Sequence, residues 1–238
     1  MNKNFILFIL LGLVYFNPRH SYATVVGNDV LPAEKGKWKV RLENEFVFSR
    51  RLKQRNGTST IRETKSRRNY LKFIFGPIDN LDVFVKIGAA TSKLDTQDGG
   101  YGFSWGAGFH SKLLQFPPEI NVGLSGAFLE YRNNRYSNVL ARDDSRIDEW
   151  QIALVLSKRY GKWMPYTGVK FSDMLVDVNS SVQSFELEAE DNFGVFVGTE
   201  IYWNQDLEGF IEGRFLDETS MSFSIRWRFW NTLRNISH

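Results

Sequence analysis

Over its last strand-like run, Ser220 to Trp230, the chain alternates with period two. Met221, Phe223, Ile225, Trp227 and Phe229 form an apolar face, and Ser222, Ser224, Arg226 and Arg228 a polar one. Successive strand residues point to opposite faces, so this is a β-strand between two different media. The same pattern recurs upstream. A first strand is predicted from about Lys37 to Ser49, with Trp38, Val40, Leu42, Phe46 and Phe48 against Lys39, Arg41, Glu43 and Glu45. Asn44 interrupts its apolar face. A second sets Leu71, Phe73 and Phe75 against Tyr70 and Lys72, then turns at Gly76 to Asn80. A third sets Val83, Val85 and Ile87 against Asp82, Phe84 and Lys86.

In the fourth, Phe103, Trp105, Ala107 and Phe109 alternate with Ser104, Gly106, Gly108 and His110. The fifth opposes Ile120, Val122, Leu124 and Phe128 to the small residues Asn121, Gly123, Ser125 and Ala127. A sixth presents Trp150, Ile152, Leu154 and Leu156, and a seventh runs from Trp163 to about Asp173. The eighth carries Phe193 to Tyr202, with alternation persisting upstream through Phe185, Leu187 and Ala189. The ninth opposes Ile211 and Phe215 to Glu208, Glu212 and Arg214. Ten strands are therefore expected, with eight or twelve as alternatives.

The apolar face is nearly free of charge throughout. The opposite face gathers Arg41, Glu43, Glu45, Lys72, Lys86, Lys170, Glu200, Glu212, Arg214, Arg226 and Arg228. A charge at mid-bilayer on a barrel's lipid face costs about 2–4 kcal/mol, so this segregation is what a lipid-facing wall demands. Long polar connections alternate with short turns, as for external loops and periplasmic turns; the last external turn, Asp217 to Thr219, is short and breaks the pattern. Trp38, Tyr160, Trp163, Tyr202, Trp203 and Trp230 fall at the short-turn ends, where amphipathic rings favour the membrane interface. The fold class that follows is all-β: a transmembrane antiparallel up-and-down β-barrel with charges in its lumen. A soluble barrel or sandwich shares the period, but its narrow core would have to hold Trp105, Trp150 and Trp227.

Targeting points the same way. Lys3 begins a basic n-region, Phe5 to Phe16 is apolar, and Ser21-Tyr22-Ala23 places small residues for a cut before Thr24. The expected organisation is a signal peptide at 1–23, a periplasmic lead at 24–36, the barrel at 37–230 and a tail at 231–238. No cysteine is present, which excludes disulfide and thiolate chemistry. Thirty basic residues less Lys3 and Arg19 leave 28 against 27 acidic ones, so the charge of the exported chain says nothing for nucleic acid as a partner.

With these strands in place the chain resembles the small outer-membrane β-barrel proteins of the OmpA-like and porin-like kind. The resemblance lies in the export signal, in Gly-aromatic strands such as Tyr101-Gly102-Phe103-Ser104-Trp105-Gly106-Ala107-Gly108-Phe109, and in the terminal strand. It implies a monomer inserted in the outer membrane, with lipid, lipopolysaccharide and the barrel-assembly machinery as partners. In that family the last strand is read by the assembly machinery and usually ends on an aromatic residue. Here Phe223, Ile225, Trp227 and Phe229 match the spacing, and eight residues follow Trp230.

Barrel enzymes exist, omptin-like proteases and lipid A-modifying enzymes among them, and a soluble periplasmic binder is a further alternative. After the cut only His110 and His238 remain as histidines. His110 falls near a periplasmic strand end, Asp143-Asp144 has no histidine nearby, and His110 and Ser111 point to opposite faces. No catalytic residue, cofactor or metal-ligand spacing is therefore assigned, and the chain is read as a non-enzyme. Two polar features remain. The lumen charges fit either a filled interior or a narrow path for small solutes or ions. The segment from Arg50 to Arg68, with Arg50, Arg51, Lys53, Arg55, Arg62, Lys65, Arg67 and Arg68 against Glu63 alone, is read as an outer loop suited to lipopolysaccharide phosphates. The segment from Ser172 to Asn192 is acidic, with Asp177, Glu186, Glu188, Glu190 and Asp191, and is read first as a solvated face, with complementing the basic segment across the mouth or attracting cations as alternatives.

Overall fold

The computed structural model describes residues 32, 35–55, 62–94, 97–117, 119–136, 142–179 and 184–228. The expected signal peptide, most of the lead, Phe229, Trp230 and the tail lie outside the described residues. The chain forms β1 (Trp38–Gln54), β2 (Arg62–Ile78), β3 (Leu81–Leu94), β4 (Gln97–Asp98), β5 (Gly102–Phe116) and β6 (Ile120–Tyr136). It continues with β7 (Arg142–Lys158), β8 (Trp163–Asn179), β9 (Ser184–Ala189), β10 (Phe193–Tyr202), β11 (Leu207–Phe215) and β12 (Glu218–Arg228). All ladders are antiparallel, and β12 pairs with β1 from Lys39↔Arg228 to Arg50↔Glu218, which closes the ring. β9 and β10 both run along β8 and act as one interrupted strand, while β4 is a short extension paired only with β3. The wall is thus a closed barrel of 10 strands, as the alternation predicts.

Alternation places the apolar residues outside. Trp38, Val85, Phe103, Leu154, Val197 and Phe223 are exposed, whereas Arg41, Glu43, Lys86, Glu200 and Arg226 are buried inside. Trp38, Tyr160, Trp163 and Trp203 point outward at the short-turn ends, as an interfacial girdle does. Tyr202 departs from the expected girdle. It faces inward, and its hydroxyl donates to the Glu200 carboxylate at 2.5 Å.

The polar connections are also shorter than the sequence pattern suggests. Arg50 to Arg67 is not one loop: β1 continues to Gln54 and β2 begins at Arg62. Likewise β6 and β7 extend through most of Arg132 to Arg146, and β8 and β9 through much of Ser172 to Asn192. Cross-strand hydrogen bonding continues here after the apolar face has ended. A 17-residue strand spans about 58 Å, far more than a tilted strand needs to cross an apolar band about 25 Å tall. The loop ends therefore project beyond the lipid.

Beyond that level the polarity inverts. Outward positions carry Arg51, Lys53, Lys65, Arg67, Asp177 and Glu188. Inward positions carry the apolar cluster of Leu52, Leu94, Leu129, Tyr131, Ile147, Met174, Val176, Val178, Leu187 and Ala189. The circumference changes too. The β11–β12 hairpin turns at Leu216-Asp217, and above it β9 pairs directly with β1 through Leu52↔Ala189, Lys53↔Glu188 and Gln54↔Leu187. The circuit from β8 to β1 there runs through one strand rather than three, leaving eight strands around an apolar interior. The short last turn, anomalous in the sequence, lies beneath this link.

Several inward glycines are spaces for rings rather than free volume. A Cβ on Gly168 would meet the Phe196 ring at 2.3 Å and the Leu154 carbonyl oxygen at 2.2 Å, and one on Gly108 would meet Phe84 at 2.5 Å. Each aromatic residue faces its glycine across the neighbouring strand. Replacing Gly168 by Val should lower stability by about 1–3 kcal/mol, the usual cost of overpacking. The temperature at which the folded band is lost on an unboiled denaturing gel measures this, and an unchanged midpoint would count against the ring-over-glycine contact.

Candidate functional site

The lumen is the strongest concentration of polar chemistry among the described residues, and it is built by β1, β2, β3, β7, β8 and β10–β12. Each strand supplies inward residues at every second position, and the antiparallel register brings opposite charges from different strands together. Near the loop end, Glu149 of β7 receives Arg68 of β2 at 2.5 Å and is also paired with Arg50 of β1. Arg50 donates to Ser172 Oγ at 3.1 Å and approaches Glu218 at 3.6 Å. Arg214 reaches Glu45 at 2.5 Å, Glu212 at 2.7 Å and Glu218 at 3.1 Å. Lys170 lies 2.8 Å from Glu218 and 2.9 Å from Asp217. Lys86 bonds Glu43 at 2.9 Å, and Tyr166 donates to Glu212 at 3.0 Å.

Towards the short turns a second group follows. Glu208 pairs with Arg226 and Arg228, and Arg226 is 3.9 Å from Glu200. The Arg41 and Arg226 guanidiniums both lie over the Phe210 ring, at 3.9 and 4.8 Å from its centroid. Lys72 Nζ is 3.1 Å from His110 Nε2 and 3.7 Å from the centroid of Phe84, while Lys39 approaches Asp82 at 3.9 Å.

The structure places Arg41, Glu43, Glu45, Lys72, Lys86, Glu200, Glu212, Arg214 and Arg226 fully inside, with Arg228 partly exposed at the end. It adds Arg50, Arg68, Asp82, Glu149, Asp217 and Glu218, which are all buried. Glu149 has a sequence signal in its position next to outward Trp150. Arg50 has none, because a register shift between Val47 and Arg50 exchanges the faces of β1.

The basic segment accordingly divides. Arg50 and Arg68, expected in an outer loop, belong to the lumen, because β1 and β2 extend through them. Arg51 pairs with Glu190 at 3.1 Å and Asp191 at 2.6 Å, Lys53 with Glu188 at 3.3 Å, and Arg55 with Glu186 at 3.2 Å. The hydrogen bond to Asp191 holds the Arg51 guanidinium above its ordinary pKa. The acidic segment therefore complements the basic one between adjacent strands rather than across the mouth. Arg62 stacks on Phe185 at 4.8 Å. Lys65 is 3.7 Å from Glu63, and Arg67 lies outward over Phe46 at 5.1 Å.

A closed antiparallel ring with an apolar exterior belt and an ionic interior is a transmembrane β-barrel of the outer-membrane type. That ring gives the chain the fold of the outer-membrane β-barrels. No protein-family model matches the chain, and no curated protein sequence does. Among solved structures it is similar to the translocator domain of autotransporter NalP from Neisseria meningitidis, at 9% identity and TM-score 0.48 over 85% of this chain and 92% of that one. It is also similar to an outer-membrane channel from Pseudomonas putida F1, at 8% identity and TM-score 0.47 over 87% and 100%. A third is the outer-membrane protease OmpT from Escherichia coli, at 10% identity and TM-score 0.42 over 82% and 94%.

Removing one member of a buried pair strands its partner and typically costs about 3–5 kcal/mol, whereas removing both is far cheaper. Lys86→Met and Glu43→Gln should each destabilise the barrel by that order, and the double variant by less than the sum of the two. Urea unfolding in lipid vesicles measures the cycle. Strict additivity would mean the two side chains are not coupled.

Proposed function

We propose that this barrel is a structural and surface-interaction protein of the outer membrane whose lumen is closed to solutes. The observation that carries this reading is the stacking of two fillings: paired charges across the wide part, and an apolar cluster across the eight-stranded end. An ion entering from the loop side would have to cross the apolar layer without its hydration shell. Small barrels are filled by side chains, and wide aqueous channels belong to barrels of about 16 strands. The rings that cover Gly108 and Gly168 remove space that a path would use.

The chain acts as a monomer in this reading, because its ladders close within one chain, and it reaches the membrane through the barrel-assembly machinery that reads its last strand. Lipopolysaccharide is its partner in the outer leaflet. It is not an enzyme: His110 is buried against Lys72 and Phe84, at the end of the barrel opposite the β6–β7 strand ends to which Asp143 and Asp144 belong. His110 and these aspartates therefore do not share one site.

Single-channel recording in a planar bilayer tests the closed lumen. The folded protein should add no discrete conductance steps in molar salt. Stable, reproducible steps that disappear with heat-denatured protein would establish a narrow ion path instead.

A further inference from the structure

The outer wall of β1, β2, β3 and β5 carries a groove of about 540 Å³, floored and flanked by Leu42, Leu71, Ile87 and Phe103. At its loop-side lip stand Asn44 and Asn69, opposite each other across β1 and β2. Asn44 is the residue that interrupts the apolar face of β1, and Asn69 stands beside it on the outward face of β2. Asn44 is exposed and Asn69 half-buried, and neither side chain makes a hydrogen bond among the described residues. An amide at an apolar surface without a partner is costly, so this pair marks a place where a polar partner arrives from the lipid side. Arg67 follows two residues up β2 from Asn69, about 7 Å along the strand. It is outward, with its guanidinium carbon 5.1 Å from the centroid of the Phe46 ring, and no carboxylate pairs with it among the described residues. Lys65 is the next outward residue, with Lys93 directly opposite it on β3, so cations continue above the arginine. Glu63 is near Lys65, 3.7 Å away.

An apolar slot, then two amides, then a guanidinium, in that order from mid-membrane outward, is the order of groups in a phosphorylated acyl lipid. We propose that this wall binds one lipid A unit of lipopolysaccharide. Its acyl chain occupies the groove, the Asn44 and Asn69 amides donate to the carbonyl oxygens of its acyl linkages, and Arg67 forms a forked pair with a phosphate. Arg51, Lys53 and Arg55 face the same side but are engaged by carboxylates of β9 and of Glu190 and Asp191 just after it, which leaves the β2–β3 side as the site. The inference rests on the reading that the loop end faces the outer leaflet and that lipopolysaccharide is the partner there.

The test uses full-length mature protein refolded without lipid into detergent and examined by native mass spectrometry. The probes are bisphosphorylated lipid A, fully dephosphorylated lipid A and inorganic phosphate. Each variant is first checked for its gel shift on heating, which reports the barrel alone. The wild type should hold one lipid A. Arg67→Ala should bind at least tenfold more weakly, and so should the Asn44→Leu/Asn69→Leu double variant, which keeps an apolar wall and an unchanged gel shift. Lys162→Ala, in the turn at the opposite end, should bind as the wild type. Dephosphorylated lipid A should bind the wild type at least tenfold more weakly, and millimolar phosphate should not displace lipid A. Binding that is equal in wild type and both variants, indifferent to the phosphates, or abolished by free phosphate would overturn the proposal. An intact gel shift without lipid A binding would refute this site alone, whereas a wild type with no gel shift would count against the barrel reading itself.

Discussion

The edge of β1 sets the form of the whole barrel. Inside a bilayer every backbone N–H and C=O must find a partner in the sheet, since no water is there to replace it. β1 is 17 residues long, and β12 covers its first edge only as far as Arg50. β9 pairs with β1 at Leu52 to Gln54. Because β9 is also the continuation of β10 along β8, the link over the β11–β12 turn removes two strands from the circuit. Barrel diameter falls with strand number, so the molecule has a wider and a narrower part, and each is filled differently. Leu, Val, Met and Tyr fill the narrow part. The wide part needs side chains that reach across it, and Arg, Lys and Glu do so.

Filling a membrane-embedded interior with charge is stable only under strict pairing. At an effective dielectric of about 20, two unit charges 4 Å apart attract by about 4 kcal/mol, which is comparable to the desolvation each ion suffers. The lumen meets that condition by sharing. Glu149 serves Arg50 and Arg68, Glu218 serves Arg50, Lys170 and Arg214, and Glu208 serves Arg226 and Arg228. Arginine dominates because its planar fork reaches two carboxylates at once and stacks on rings such as Phe210 and Tyr131. The network thus ties β1, β2, β7, β8, β11 and β12 together through the interior, in addition to their ladders.

Much of this was legible in the chain. From Trp38 to Glu45, from Tyr70 to Ile87 and from Ser220 to Arg226 the alternation alone separates lipid from lumen, because the two media differ so much in polarity. Legibility fails where that contrast reverses. Above the lipid, an exposed Arg51 and an inward Leu52 read as a polar loop with a stray leucine, although they belong to a regular strand with a soluble-type polarity. It fails again at the register shift after Val47, where one extra residue moves Arg50 inside. Tyr202 carries two signals at once: an aromatic at a strand end suits a girdle, whereas its parity with Phe196, Gly198 and Glu200 turns it inward, and parity decides. The pairing of Lys53 with Glu188 joins distant segments: their opposite charges are legible in the chain, and the strand pairing that sets them side by side is not.

A filled interior also changes what the exterior can mean. In an open channel the wall is a partition, and polar defects in its lipid face are faults. Here the interior is occupied by its own side chains, so the wall is the surface on which other molecules can be met. Asn44 and Asn69 then stop being interruptions in a hydrophobic pattern. Leu at both positions would complete the belt, yet the amides stand side by side across two strands, immediately below Arg67. Placing two polar groups together on a lipid-facing wall concentrates the cost in one spot, and a ligand bearing acceptors at that depth offsets both at once. The same segregation of polarity that identifies the barrel therefore gives its one paired exception on the β1–β2 wall a chemical meaning.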